Sequence, residues 1–248
     1  MKKLFIGIAA ALLIAPQSQA QGWKNVLKDV VKSTSGSNGN SGSLGSLSNQ
    51  DIVAGLRQAL EIGAQNASSR LNSLNGFFGN ALIKILMPPE AKKVENTLRS
   101  FGMGSVVDKA ILSMNRAAED AAGKAAPIFV DAIRKMTIQD GVSILRGGNG
   151  AATAYLRNAT TTPLTNAFRP VIKNSLDKVN ATAYWGDVMR IYNQLPTTRA
   201  QINPDLTAYV TERALNGLFL NIADEENKIR TDPAARVTDI LKKVFGAK

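Results

Sequence analysis

The chain has 248 residues, 20% of them charged, with 30 Lys and Arg against 19 Asp and Glu and with neither Cys nor His. Those two absences exclude cysteine nucleophiles, Ser-His-Asp triads, histidine general bases, disulfides and the usual zinc and haem ligand sets. Carboxylates, Lys, Tyr or Ser are left for any catalysis, no cofactor or metal is implied, and the net charge of +11 suits an anionic partner.

Lys2 and Lys3 precede an apolar run from Leu4 to Ala15, Pro16 breaks it, and Ser18-Gln19-Ala20 has the small-x-small spacing read by signal peptidases. The run is shorter than the roughly 20 apolar residues of a spanning helix. Residues 1–20 are therefore expected to be a signal peptide cleaved after Ala20, releasing into the periplasm a mature chain with no transmembrane segment. Without Cys there is no lipobox, so a lipoprotein is not expected. Loss of Lys2 and Lys3 lowers the net charge by two, to +9.

Residues 21–46 form a second region. Trp23, Val26, Leu27, Val30 and Val31 alternate with Lys24, Lys28 and Lys32 as in a short amphipathic helix, and Ser33 to Ser46 is almost pure Ser, Gly and Asn, a linker composition. The helix would dock on the domain, stay disordered, or lie on an anionic membrane surface. Residues 47–248 then read as one all-helical domain. Ser48 is placed to cap a helix with Asp51 at its third position, Leu47 to staple onto Ile52, and Ile52, Val53, Leu56, Leu60, Ala64, Ala67 and Leu71 to form its apolar stripe. Ala81 to Met87 is the only strand-like stretch; having no partner, it is expected to be an extended connector burying Leu82, Ile83 and Ile85.

Helix follows helix after Pro88-Pro89. The sequence predicts one ending at Gly102, one from Ser105 to Ala122, one from Ala125 to Met136 with Pro127 in its first turn, and one capped by Thr137 with Asp140. Gly147 to Gly150 breaks the chain before a helix through Asn158. Thr162-Pro163 reads as a cap and first-turn proline, and Pro170 as a kink in a helix ending near Val179. Thr182 to Leu195, a long helix from Asn203 or Asp205 to about Arg230, and a last helix capped by Asp232 and ending at Gly246 complete a bundle-like fold with proline-kinked helices.

Five stretches of this domain, in order, resemble the bacterial domain of unknown function 4197. They are Asn115-Arg116-Ala117-Ala118-Glu119, Pro127 to Ile133, Met136-Thr137-Ile138, Gly147-Gly148 with Ala151-Ala152-Thr153, and Ile229 to Arg236. The resemblance covers about Leu47 to Gly246 and implies an exported helical fold while supplying no function. Asn149 stands where similar sequences tend to carry Asp.

Candidate sites are few. Gly147, Gly148, Asn149 and Gly150 precede a helix start and either cradle an anion on backbone N–H groups or form a corner with Asn149 as cap; no Lys-Ser/Thr follows, which favours the corner. Arg116 and Asp120 are spaced as an ion pair with Glu119 on the same side. Glu226 and Arg230 form another, and Asp232 and Arg236 belong to the same charged stretch as Glu225. All are read first as structural pairs. Tyr184 and Tyr192, with Trp185 between them and Tyr155 and Tyr209 elsewhere, line either a ligand groove or the edge of a core.

From Gly141 to Ala200 seven Lys and Arg face Asp177 and Asp187 alone, a surplus of five without any clustered run. The reading that best fits is a non-catalytic periplasmic helical domain that binds a small ligand, a lipid or an envelope protein. The alternatives are an enzyme using Glu119 or Glu226 as general acid or base, and a structural protein on an anionic membrane surface. Export argues against nucleic acid as partner.

Overall fold

The computed structural model describes residues 48–194 and 205–231. Helix α1 (Asn49–Asn72) starts where its local chemistry dictates. Ser48 Oγ accepts the Asp51 amide at 3.2 Å and Asp51 Oδ2 accepts the Ser48 amide at 3.3 Å, a closed capping box. A 3-10 turn at Pro89–Ala91 leads into α2 (Lys92–Ser100), followed by α3 (Gly104–Ala122), α4 (Ala125–Lys135) and α5 (Ile138–Arg146). Then come α6 (Ala151–Asp177), α7 (Ala181–Asn193) and α8 (Leu206–Thr231). No strand occurs among the described residues, as the all-α reading expects. The Trp23–Lys32 helix, the Ser33–Ser46 linker, Leu47 and the Asp232-capped helix lie outside the described residues.

Local signals set most boundaries. Thr137 and Asp140 repeat the capping box at the start of α5. Asp205 accepts the Ala208 amide at 2.9 Å and so caps α8. Helix α2 closes in a Schellman arrangement, with Gly102 at φ +77°, its amide donating to Arg99 O, and the Met103 amide donating to Leu98 O.

Two expectations fail. Helix α6 does not stop at Asn158 or restart at Thr162-Pro163; it runs unbroken through Pro163 and Pro170. Both prolines lie on its exposed face, where water can reach the carbonyls they leave without an amide donor. Its other side buries Ala152, Leu156, Leu164, Phe168, Ile172 and Leu176. At about 1.5–3 kcal/mol per large side chain, that burial outweighs the ~3 kcal/mol of an interior proline. The connector between α1 and α2 is extended over residues 84–88, but only Ile83 and Ile85 of the three expected residues are buried; Leu82 is 88% exposed. Alternate residues of an extended segment point to opposite faces, so burying Ile85 turns Lys84 and Leu86 outward, while Leu82 lies in the turn at residues 81–83 that precedes it.

Most of the core is one cluster that buries Phe77, Phe129, Phe168 and Phe219, with Phe129 and Phe219 edge to face at 5.9 Å, and Ala59 and Ile229 form a small second one. Ala117, Ala118, Ala121 and Ala122 present a wholly buried small face of α3, which lets α1, α6 and α8 approach it closely.

Candidate functional site

The two carboxylates with catalytic potential are both committed to the backbone. Glu119 Oε1 accepts the amides of Phe77 and Phe78, each at 3.1 Å, while Oε2 pairs with Arg116. Arg116 also donates to Asn75 Oδ1 at 2.9 Å. One turn earlier on α3, Asn115 clamps the extended connector: its Oδ1 accepts the Ile85 amide at 2.9 Å and its Nδ2 donates to Ile85 O at 2.8 Å. The Asn115–Glu119 stretch therefore pins residues 75–85 onto the core. Asp120 departs from the expected pairing with Arg116. The i,i+3 partner Glu119 takes the guanidinium, and Asp120 accepts from Ser175 Oγ of α6 at 2.6 Å.

Glu226 performs the same service for α6. Its oxygens accept the Ala152 amide at 3.1 Å, the Thr153 amide at 2.9 Å and Thr153 Oγ1 at 2.7 Å. Arg230 joins them at 2.8 Å and reaches on to Ile144 O at the end of α5. Burial pushes the Glu226 carboxyl up, but the bonds from Thr153, Arg230 and Ala152 outweigh it and hold the group below the ordinary glutamate range.

Gly147 to Gly150 form the corner between α5 and α6. Gly147 ends α5, Gly148 and Gly150 take φ of +72° and +85°, and Gly150 rather than Asn149 is the residue before α6. The helix start does hold an anion on its amides, and the anion is the chain's own Glu226. Glu225, beside it, pairs with Arg70 of α1 and with Lys228 at 2.9 Å. Asp232 and Arg236, and the side chains of Tyr184 and Tyr192, lie outside what the structure describes. Trp185 is in the core, and Tyr155 faces an open depression beside Pro127 and Pro163. In the basic middle segment, Arg169 pairs with Asp205, Lys173 pairs with Asp177, and Arg157 stacks 4.3 Å from the Phe219 ring centroid.

The site that sequence reasoning missed lies between the connector and α8. A cleft of about 420 Å³ is lined there by Leu82, Leu86, Tyr209 and Leu220 among others. Leu86 and Leu220 are each 52% exposed, as large apolar groups seldom are by accident when they gather at one opening. Lys84, Lys92 and Arg213 stand at the same cleft. Lys84 lies 3.9 Å from the Phe78 ring centroid and Arg213 lies 5.4 Å from that of Tyr209, and neither makes an ion pair among the described residues. Lys92 has only Glu95, at 3.9 Å. Tyr209 Oη donates to Leu86 O at 2.9 Å, while burial raises the phenol against the lowering effect of Arg213, and the nearby Glu90 and Glu212 carboxylates add to the rise.

Gly217 makes this crossing of α8 and the connector close: a Cβ there would stand 2.7 Å from the Phe77 ring. A second opening of about 540 Å³ across the connector shares Lys84, Leu86 and Lys92 and adds Glu95, Arg99 and Asp108. The available signal was the Leu82-x-Lys84-x-Leu86 alternation, whose outward face is apolar and cationic together.

A family model described as "Protein of unknown function (DUF4197)" matches residues 46–246. Comparison with curated proteins and with solved structures returns no match.

Proposed function

The chain belongs to the DUF4197 family, and from its connector–α8 cleft we propose that it is an exported, non-catalytic binding module for a small anionic amphiphile. The ligand class is an acyl chain with a phosphate or carboxylate head. One observation carries this reading: Leu82, Leu86 and Leu220 stay in solvent around a single opening whose charged rim is Lys84, Lys92 and Arg213. An apolar lining with a few convergent polar groups, in a volume within the roughly 300–1,000 Å³ of small-molecule sites, is what such a ligand requires.

The rim charge argues against the chain's own Trp23–Lys32 segment as occupant, because Lys24, Lys28 and Lys32 carry the same sign. Acid–base catalysis by Glu119 or Glu226 finds no support, since every oxygen of both carboxylates is hydrogen-bonded or ion-paired within the protein. Export rests on the Lys2–Ala20 signal pattern, and no described helix is long and apolar enough to cross a membrane.

Native mass spectrometry of protein isolated gently from its host tests the reading first. A mature chain starting at Gln21 and carrying an anionic lipid-like adduct is expected. Titration with dodecyl phosphate and with dodecanoate then locates the site. The Lys84→Glu/Arg213→Glu double variant is expected to bind both probes roughly tenfold more weakly, and dodecanol to bind less well than either. Equal affinity of the double variant and the wild type for both probes would refute the cleft assignment.

A further inference from the structure

We infer that the tip of the α2–α3 hairpin is a membrane-insertion element that seats the protein on the interface of an anionic lipid bilayer. At this tip Phe101 is 74% exposed, Met103 42% and Val106 56%, three large apolar side chains within six consecutive residues. They crown the turn between α2, which contains no buried residue and packs mainly on α3, and the exposed first turn of α3 ahead of buried Val107.

Four of the tip's backbone amides are bonded within the chain, while those of Gly104 and Ser105 at the uncapped start of α3 have no such partner among the described residues and suit the headgroup level. The amides of Phe101, Gly102 and Met103 donate to Thr97 O, Arg99 O and Leu98 O, and the Val106 amide donates to Met103 O. The Thr97 and Ser100 hydroxyls donate to Lys93 O and Thr97 O. Groups already bonded within the chain can leave water without the penalty that bars ordinary loops from lipid. The Gly102 φ of +77° fixes the turn, so little ordering remains to be done on docking.

Charge selects the partner. Glu95 and Asp108 are both bonded to Arg99, at 3.0 and 2.8 Å, and Lys92 stands 3.9 Å from Glu95, so two cations offset these two acids near the tip. Lys93 and Lys109 are exposed on the two arms behind the tip, with no ion pair among the described residues. Apolar side chains at the point and lysines behind them match an anionic interface, where burial and headgroup attraction add. A protein partner fits less well. Three side chains on a convex tip supply far less than the roughly 1,200–2,000 Å² buried by a stable protein interface. The hairpin tip shares none of its apolar side chains with the connector–α8 cleft. Arg99 and Asp108 of the hairpin also line the opening across the connector, with Lys84 and Lys92.

The chain has no cysteine, so Met103→Cys carries a polarity-sensitive dye at one site in the otherwise intact mature protein. Phosphatidylcholine vesicles containing phosphatidylglycerol are expected to shift the dye emission to the blue, and brominated acyl chains to quench it. The Phe101→Ser/Val106→Ser double variant, altered only at exposed positions, is expected to co-sediment with those vesicles roughly tenfold less. It should bind dodecyl phosphate in solution as the wild type does, which separates the tip from the cleft. Dye emission unchanged by vesicles, or wild-type sedimentation of the double variant, would overturn the inference. So would a blue shift that grows with protein concentration without lipid, which would make the tip a contact between copies.

Discussion

A carboxylate carried into a protein core ordinarily rises in pKa, because burial penalises the charged form. Glu226 goes the other way, since two amides, a hydroxyl and a guanidinium stabilise its charge. Its folded pKa lies below the unfolded one, so between the two values the unfolded chain binds more protons and stability climbs with pH. The contribution is fully present above the ordinary glutamate value of about 4.3 and is lost as pH falls through the folded value. Glu226→Gln is expected to cost about 3 kcal/mol at neutral pH, because it takes a carboxylate from half-buried Arg230 and sets an amide N–H₂ against backbone donors. Urea unfolding should show that cost shrinking as pH drops through the carboxylate range. An equal cost at both ends of the range would mean that the charge is not what matters. Asn115→Ala probes the parallel clamp on the connector. It leaves the Ile85 amide and carbonyl without their side-chain partner, at about 1–3 kcal/mol for each buried group. Hydrogen exchange at Ile85 should quicken more than the global loss explains.

At the scale of elements, Gly217 shows how a local preference yields to a tertiary one. Glycine inside α8 forgoes about 1 kcal/mol of helix propensity relative to alanine, yet an added Cβ would meet Phe77 Cε1 at 2.7 Å and Ile83 Cβ at 3.2 Å. Phe77 is wholly buried and has nowhere to move. Gly217→Ala is therefore expected to destabilise by about 1–2 kcal/mol net of the propensity gain, read as a lowered urea midpoint; a raised midpoint would show that the connector can yield. The same contrast separates what was legible in the sequence from what was not. The capping boxes at Ser48 and Thr137 and the glycine end of α2 are made by residues three to five positions apart, so the sequence displays them whole. Continuity of α6 past Pro163 depends on burial against α3 and α8, which no local window contains. Glu226 and Thr153 meet across 73 positions, and the cleft joins segments that Tyr209 and Leu86 link across 123. Sequence spacing therefore picked out Glu226 as one half of an ion pair with Arg230 and left its chief task, starting α6, unseen.

Over the whole described domain, one hydrophobic cluster draws on every helix except α2, from Leu56 of α1 through Trp185 of α7 to Ile222 of α8. Helices that share a core in this way gain little from one another until most of it has assembled, which predicts one cooperative transition for them. Helix α2 is the exception. It has no buried residue, only Val94 and Leu98 pack partly against the cluster, and isolated helices of its length are marginal in water. Its amides should therefore open at a small fraction of the global free energy while those of α6 and α8 open only with the whole domain. Hydrogen exchange followed by mass spectrometry is expected to show residues 92–103 exchanging early and the α6 and α8 peptides late, with far-ultraviolet ellipticity and Trp185 burial lost together on heating. Phosphatidylglycerol vesicles supply α2 with the apolar contact it lacks in water, so its peptides should gain protection selectively when they are added. Protection of α2 equal to that of α6 before any lipid is present would place the hairpin inside the cooperative unit, and the arm would then owe its stability to packing on α3 alone.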